Sequence, residues 1–148
     1  MTNTSMGASG LNNLYLDADV LVGLNVQIDV HHTNAILLLS TVAKMKPPPS
    51  LYVGFNILLE AFTMISQRES KQQAQKLQSE VRSGRYTIII PDEELIDRAE
   101  ELFFSIPSKN VSYSDCMSFA IMEKYKIEYV LSFDIHFKKQ GFRRIGID

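Results

Sequence analysis

The sequence predicts an α/β fold, a three-layer α/β/α sandwich around a central parallel sheet. Short apolar runs alternate with longer segments of helical periodicity, and strands separated by helices pair in parallel through right-handed crossovers. The helices also outnumber the strands. The chain has 148 residues, a size at which one domain buries roughly two-thirds of its unfolded surface, so a single hydrophobic core is expected.

The first strand is read in Leu14-Tyr15-Leu16, an apolar run that stops at Asp17, after which Val20, Leu21 and Leu24 take helical spacing. A helix over Val30–Lys44 places Ala35, Ile36, Leu39, Val42 and Ala43 on one stripe, and Pro47-Pro48-Pro49 cannot continue it, so a loop follows. Phe55 to Arg68 forms a helix with an apolar stripe (Leu58, Leu59, Phe62, Ile65) beside a polar one (Asn56, Glu60, Thr63, Gln67). Lys71–Ser83 is a mostly polar helix with Ala74, Leu77 and Val81 inward, and Gly84 stops it before a strand at Tyr86–Ile90. Pro91 and Asp92 open a helix in which Leu95, Ile96, Ala99, Leu102, Phe103 and Ile106 recur at near-ideal spacing. A helix over Tyr113–Tyr125, a strand at Tyr129–Ser132, a helical turn near Lys138 and a strand at Arg143–Ile147 complete the order. Residues 1–13, small and polar, are expected to form a flexible tail, and 14–148 the folded domain.

Hydrophobic residues make up 45% and charged residues 22% of the chain, which excludes disordered and fibrous classes. The longest purely aliphatic stretch, Ala35–Leu39, is far short of the roughly 20 residues of a membrane span. The start lacks the basic and apolar regions of a secretory signal, so a cytoplasmic location is expected. Cys116 is the only cysteine, which excludes an internal disulfide and a multi-cysteine zinc site, and it is read as core. A net charge of −2 gives no global field toward nucleic acid, so a polyanion must be held locally.

Asp17 and Asp134 each follow an apolar strand directly, and open α/β sheets bind ligands beyond the carboxyl ends of their strands. Asp115 opens a helix and Glu60 lies on a polar helix stripe, so both reach the same edge if their helices flank the central strands. Four converging carboxylates repel one another unless a cation neutralises them, and oxygen ligands select Mg²⁺ or Mn²⁺. Such an ion lowers the pKa of a bound water and steadies charge on a phosphate, which makes phosphodiester hydrolysis the natural reaction. Singly, each acid also has a plain reading: Asp115 as a first-turn helix acid, Glu60 as a solvated helix residue, Asp17 and Asp134 as turn or cap residues.

The segments LYLDADVLVGL, NILLEAF and VSYSDCMSFAIMEKYKIEYVLSFDIHFKKQGF resemble the PIN-domain family, especially the VapC-like toxin ribonucleases, over about residues 14–146. The last segment is the specific part: an acid opening a helix, then a strand, then Ser-Phe-Asp-x-His-Phe and a Gly-Phe. The resemblance implies a PIN-like α/β/α sandwich, a Mg²⁺ or Mn²⁺ site and cleavage of RNA. Carried over residue by residue, the metal and catalytic acids are Asp17, Glu60, Asp115 and Asp134. It further implies an RNA substrate, a homodimer and a cognate antitoxin protein. Where the family often has Thr or Ser after its first Asp, this chain has Ala18, then Asp19. Asp19 is expected to cap the following helix, with water-mediated metal binding as the alternative. Ser112 and Ser132 are candidates to orient a carboxylate or phosphate, or serve as plain turn residues.

His31 and His32 adjoin and His136 lies far along the chain, so no helical i,i+4 pair exists to hold a transition metal. His136, two residues past Asp134, is expected to pack against Phe133 and Phe137, with an approach to the cleft as the alternative. Lys138, Lys139, Arg143 and Arg144 are candidate RNA contacts, and setting aside the four metal acids turns the net charge from −2 to +2. Asp17-Ala18-Asp19 is also similar to the opening motif of haloacid-dehalogenase-type phosphatases, with one acid as nucleophile and the next as acid/base. A non-catalytic PIN-like module that binds RNA or protein is the remaining alternative.

Overall fold

The computed structural model describes residues 11–148. Its five strands are β1 (Asn13–Leu16), β2 (Ser50–Gly54), β3 (Thr87–Ile89), β4 (Tyr129–Leu131) and β5 (Arg143–Arg144). Among the described residues seven helices surround them: α1 (Ala18–Asn25), α2 (His32–Ala43), α3 (Phe55–Arg68), α4 (Lys71–Arg82), α5 (Glu93–Ser105), α6 (Tyr113–Lys124) and α7 (Ile135–Lys139). All strands pair in parallel in the order β3-β2-β1-β4-β5, which is the expected α/β/α architecture. Among the described residues no helix is long and apolar enough to cross a membrane.

The sheet grows outward from β1 in chain order on one side, to β2 and β3, and through β4 and β5 on the other. The direction of winding thus reverses between β1 and β4, and a crevice opens there beyond the strand ends. Register pairs Leu16 with Leu131, and the Asp17 N–H continues the ladder to the Leu131 carbonyl at 3.0 Å. The residues after both strands are thereby fixed side by side.

One strand was not expected. Residues 47–54 read as loop into helix, yet Ser50–Gly54 forms β2, the direct neighbour of β1. Its central residues Leu51, Tyr52 and Val53 form a short apolar run that merges into the apolar α3 without a polar break. Gly54 ends the strand and is also the N-cap residue of α3, so no loop residue separates them. A Cβ at Gly54 would meet the Tyr15 hydroxyl at 2.6 Å and Ile121 Cδ1 at 2.8 Å, with the Asn56 side chain closer still, so the joint has room only for glycine.

Residues 1–10 of the expected tail lie outside the described residues. Leu11 is buried and Asn13 belongs to β1, so Leu11–Asn13 are part of the folded body rather than of a tail. The core holds Leu14, Tyr15, Leu16, Leu21, Ile57, Ile65, Leu77, Ile121, Met122, Leu131 and Phe137, all essentially inaccessible to solvent. In α3 the buried face is Ile57, Leu58, Ala61 and Ile65, while Leu59, expected inside, is exposed. Ile36 and Leu37 of α2 stay exposed, with Ala35 and Val42 inward.

Candidate active site

Beyond the carboxyl ends of β1 and β4 lies a cleft of ≈ 250 Å³ lined by Asp17, Ala18, Asp19, Val22, Asp29, His31, Glu60, Met64, Arg68, Asp115 and Asp134. All four expected acids are in it. They arrive by different routes: Asp17 from the end of β1, Glu60 from the middle of α3, Asp115 from the first turn of α6 and Asp134 from the loop after β4.

Asp17 is nearly inaccessible and doubles as the N-cap of α1, accepting from the Ala18 N–H at 2.8 Å. Its second oxygen accepts from the Ser132 hydroxyl at 2.7 Å, and that hydroxyl accepts in turn from the Asp134 N–H at 3.0 Å. Ser132 therefore links two of the acids, in the orienting role considered for it. Ala18 has no hydroxyl, and Ser132 supplies one from across the sheet.

Asp19 does not cap α1, because Asp17 occupies that position. Its Oδ2 instead crosses to the loop after β4 and accepts from the Phe133 N–H at 3.0 Å. Its Oδ1 is buried without a hydrogen-bond partner, an unusual state for a carboxylate oxygen. Ser112 and Asp115 form a reciprocal capping box: the Asp115 N–H donates to Ser112 Oγ and the Ser112 N–H donates to Asp115 Oδ2, each at 2.9 Å. The cap both starts α6 and aims the carboxylate. Glu60 accepts from the Ser114 hydroxyl at 3.1 Å, which ties α3 to the same end of α6.

Burial pushes Asp17 well above the usual carboxylate range, and the charges of Asp19 and Asp115 add to it against the pull of Ser132. Asp19 is pushed up to about 6, again mainly by burial. Glu60 is raised by partial burial and by the Asp115 charge, and Asp115 by burial and the Asp134 charge. Four raised carboxyl groups, each facing another's negative charge, form a site that gains by taking up a cation. An oxygen-rich donor set with an orphaned buried Asp19 oxygen fits a hard divalent ion.

His136 takes the alternative place, beside the acids, rather than the expected packing on Phe133. It does not spend its ring on Phe133; its Nδ1 lies 2.7 Å from Asp134 Oδ1, and the ring that stacks on Phe133 is that of His31, with centroids 4.1 Å apart. Asp115, Asp134 and His136 each offer a ligand atom, all within 4.8 Å of one another, whereas Asp17 and Glu60 stand outside that tight group. Loop folding, not helical spacing, brings the imidazole there, so an i,i+4 test had no means of finding it.

Arg144 is not available to RNA. It is buried, its guanidinium grips both oxygens of Asp148 at 2.9 and 3.0 Å, and it donates to the Phe133 carbonyl at 3.1 Å. It braces the loop that carries Asp134. Lys138, Lys139 and Arg143 are exposed but do not line the cleft; Lys138 stands 3.8 Å from Asp148 and Arg143 lies over the Tyr129 ring. Cys116 is buried, as expected. Asp29 and Arg68 were not expected in the cleft, and His31 lines it although no helical metal pair is formed; the four-residue spacing Glu60, Met64, Arg68 does place Arg68 on the Glu60 face of α3.

No protein-family model matches the sequence, and no curated protein matches it. Among solved structures the chain is similar to VapC20 of Mycobacterium tuberculosis, described as a Sarcin-Ricin loop cleaving toxin. The TM-score is 0.79 at 22% identity, covering 88% of this chain and 96% of that one. The likeness is one of fold, and the sandwich described above is the PIN-like one.

Proposed function

We propose that this protein is a metal-dependent endoribonuclease hydrolysing phosphodiester bonds of single-stranded or structured RNA, and that it is the toxin of a toxin–antitoxin pair. The observation that carries the reading is the convergence of Asp17, Glu60, Asp115 and Asp134, from four separate parts of the chain, on one cleft at the sheet's switch point. The fold shared with a toxin described as cleaving the Sarcin-Ricin loop supports the substrate class. Asp17, Glu60, Asp115 and Asp134 would hold Mg²⁺ or Mn²⁺, with His136 beside them. When bound, such an ion supplies a water of lowered pKa and neutralises charge growing on the phosphate.

The chain's own residues prepare that site. The Ala18 N–H and Ser132 hydroxyl keep Asp17 in one orientation, the Ser112 backbone does so for Asp115, and Ser114 for Glu60. The ladder between β1 and β4, continued by the Asp17 N–H to the Leu131 carbonyl, holds the chain segments of Asp17 and Asp134 side by side. The haloacid-dehalogenase alternative assigns Asp19 an acid/base role, but its Oδ2 is turned to the Phe133 N–H. An inhibiting antitoxin segment would suit this cleft by offering Arg or Lys to the carboxylates in competition with the metal.

The test is cleavage of labelled RNA with Mn²⁺ by the wild type and by Asp17→Asn and Asp134→Asn. Loss of cleavage in the variants, with folding retained, is the expected result; wild-type rates in both overturn the assignment. Millimolar Mn²⁺ should also raise the melting temperature, because an ion bound to the folded state alone stabilises it by mass action.

A further inference from the structure

We propose that Arg68 receives a phosphate of the bound RNA strand at the mouth of the cleft, beside the phosphodiester being cut. The inference rests on the ribonuclease reading above and names the residue that makes an acidic cleft acceptable to a polyanion. Six carboxylates line the space: Asp17, Asp19, Asp29, Glu60, Asp115 and Asp134. Among the described residues lining it, Arg68 is the only lysine or arginine.

Its placement follows from helix geometry. Glu60, Met64 and Arg68 are spaced by four on α3 and all line the cleft, so they stand above one another on one face. Eight residues at helical rise set Arg68 about 12 Å along the axis from Glu60, at the level of a flanking phosphate. The guanidinium is not free to collapse onto Glu60, because Asp29 holds it at 2.6 Å. Asp29 is well placed for this: its side chain is only 9% exposed, and its other oxygen accepts from the His31 N–H at 3.0 Å. Against the upward push of desolvation, the Arg68 and His31 hydrogen bonds keep Asp29 below its ordinary value, so the anchor stays ionised. The Asp29 bond occupies one donor of a five-donor fork, and the remainder suits the oxygens of a phosphate.

A purely structural Arg68 would do no more than pair with Asp29 and favour the C-terminal end of α3. Kinetics separate the two roles. A fluorescein-labelled single-stranded RNA is cleaved with Mn²⁺ over a range of salt concentrations by the wild type, Arg68→Ala and Arg68→Lys. Arg68→Ala is expected to raise KM about tenfold or more, the scale of a charge-assisted hydrogen bond, and to leave kcat nearly unchanged. It should also flatten the slope of log(kcat/KM) against log[salt] by about 0.7, the contribution of one phosphate on a single strand. Arg68→Lys should restore the slope and part of the KM. Should Arg68→Ala fold poorly, Arg68→Gln, which keeps much of the stem, carries the same expectation. A folded variant without the charge that keeps wild-type KM and salt slope overturns the proposal while leaving the ribonuclease reading intact. A wild type that neither binds nor cleaves the RNA overturns both.

Discussion

Removing one hydroxyl should loosen two acids at once. Ser132, 1% exposed, donates to Asp17 Oδ2 and accepts from the Asp134 N–H, so Ser132→Ala leaves both partners short of a hydrogen bond. A hydrogen bond to a charged group contributes about 1.5–3 kcal/mol. For a domain of this size that corresponds to a fall in melting temperature of roughly 4–10 °C. The loss should depend on pH in a definite direction. The hydroxyl favours the ionised form of Asp17, whose carboxyl is already raised by burial; without it the carboxyl rises further, and the variant suffers most where Asp17 must be charged. Melting without metal should therefore show a difference from wild type that grows as pH rises through the folded Asp17 value. Calorimetric titration with Mn²⁺ should show affinity lower by about 10- to 100-fold, as for other groups that orient metal ligands. A variant with wild-type melting at pH 7.5 and wild-type Mn²⁺ affinity would refute the claim that Ser132 organises the site.

The metal-free protein itself should lose stability as pH rises. Asp19 at about 6 and the raised Asp17 hold protons that the unfolded chain has already released, so their contribution is present below the unfolded pKa and lost as pH climbs through the folded values. For Asp19 the rise from 3.8 to about 6 corresponds to about 3 kcal/mol. Asp29, Asp92, Glu123 and Asp148 are lowered and act only at more acid pH, so they do not mask the trend. Thermal melts that are flat or rising from pH 5 to 7.5 would contradict it. A homodimer is expected, with exposed Ile36 and Leu37 of α2 in its interface, and light scattering that gives a monomer at tens of micromolar would count against it. Expression of the chain alone in a bacterial host should arrest growth; Asp17→Asn should abolish the arrest and the neighbouring gene relieve it. Unimpaired growth with active, soluble protein would rule out the toxin role.

Much of the fold was legible because most elements carry their own local signals. Asp92 before an apolar stripe marked α5, and the cap is there, with the Leu95 N–H at 2.9 Å from the Asp92 carboxylate. Gly84, at φ +85°, ends α4 as its position suggested. β2 was hidden because five residues after three prolines show no period of their own, and only pairing with β1 and β3 makes them a strand. Asp17, Asp134 and Asp115 could be found because each sits at a strand end or helix start that sequence marks, and Glu60 because it stands on the polar stripe of α3. Asp29 could not, since its place depends on how the loop after α1 crosses α3, whereas Arg68 shares a helical face with Glu60 and His136 lies two residues from Asp134. Arg144 shows the same limit in reverse: its basic neighbours suggested a surface patch, while Asp148, four residues on, folds back to claim it.

The joint at Gly54 turns the angular phase of α3 into a determinant of chemistry. A residue added or removed between Gly54 and Phe55 would rotate everything after it by about 100°. The β2 ladder would survive such a change, since its hydrogen bonds lie upstream. Glu60, Met64 and Arg68 would swing off the cleft together, and the Ser114 and Asp29 contacts would have nothing to hold. Chain length is thus freer in the segment before β2, but at this position it is locked to the helical repeat, and only a change of close to a whole number of turns would bring an acid back to face the cleft.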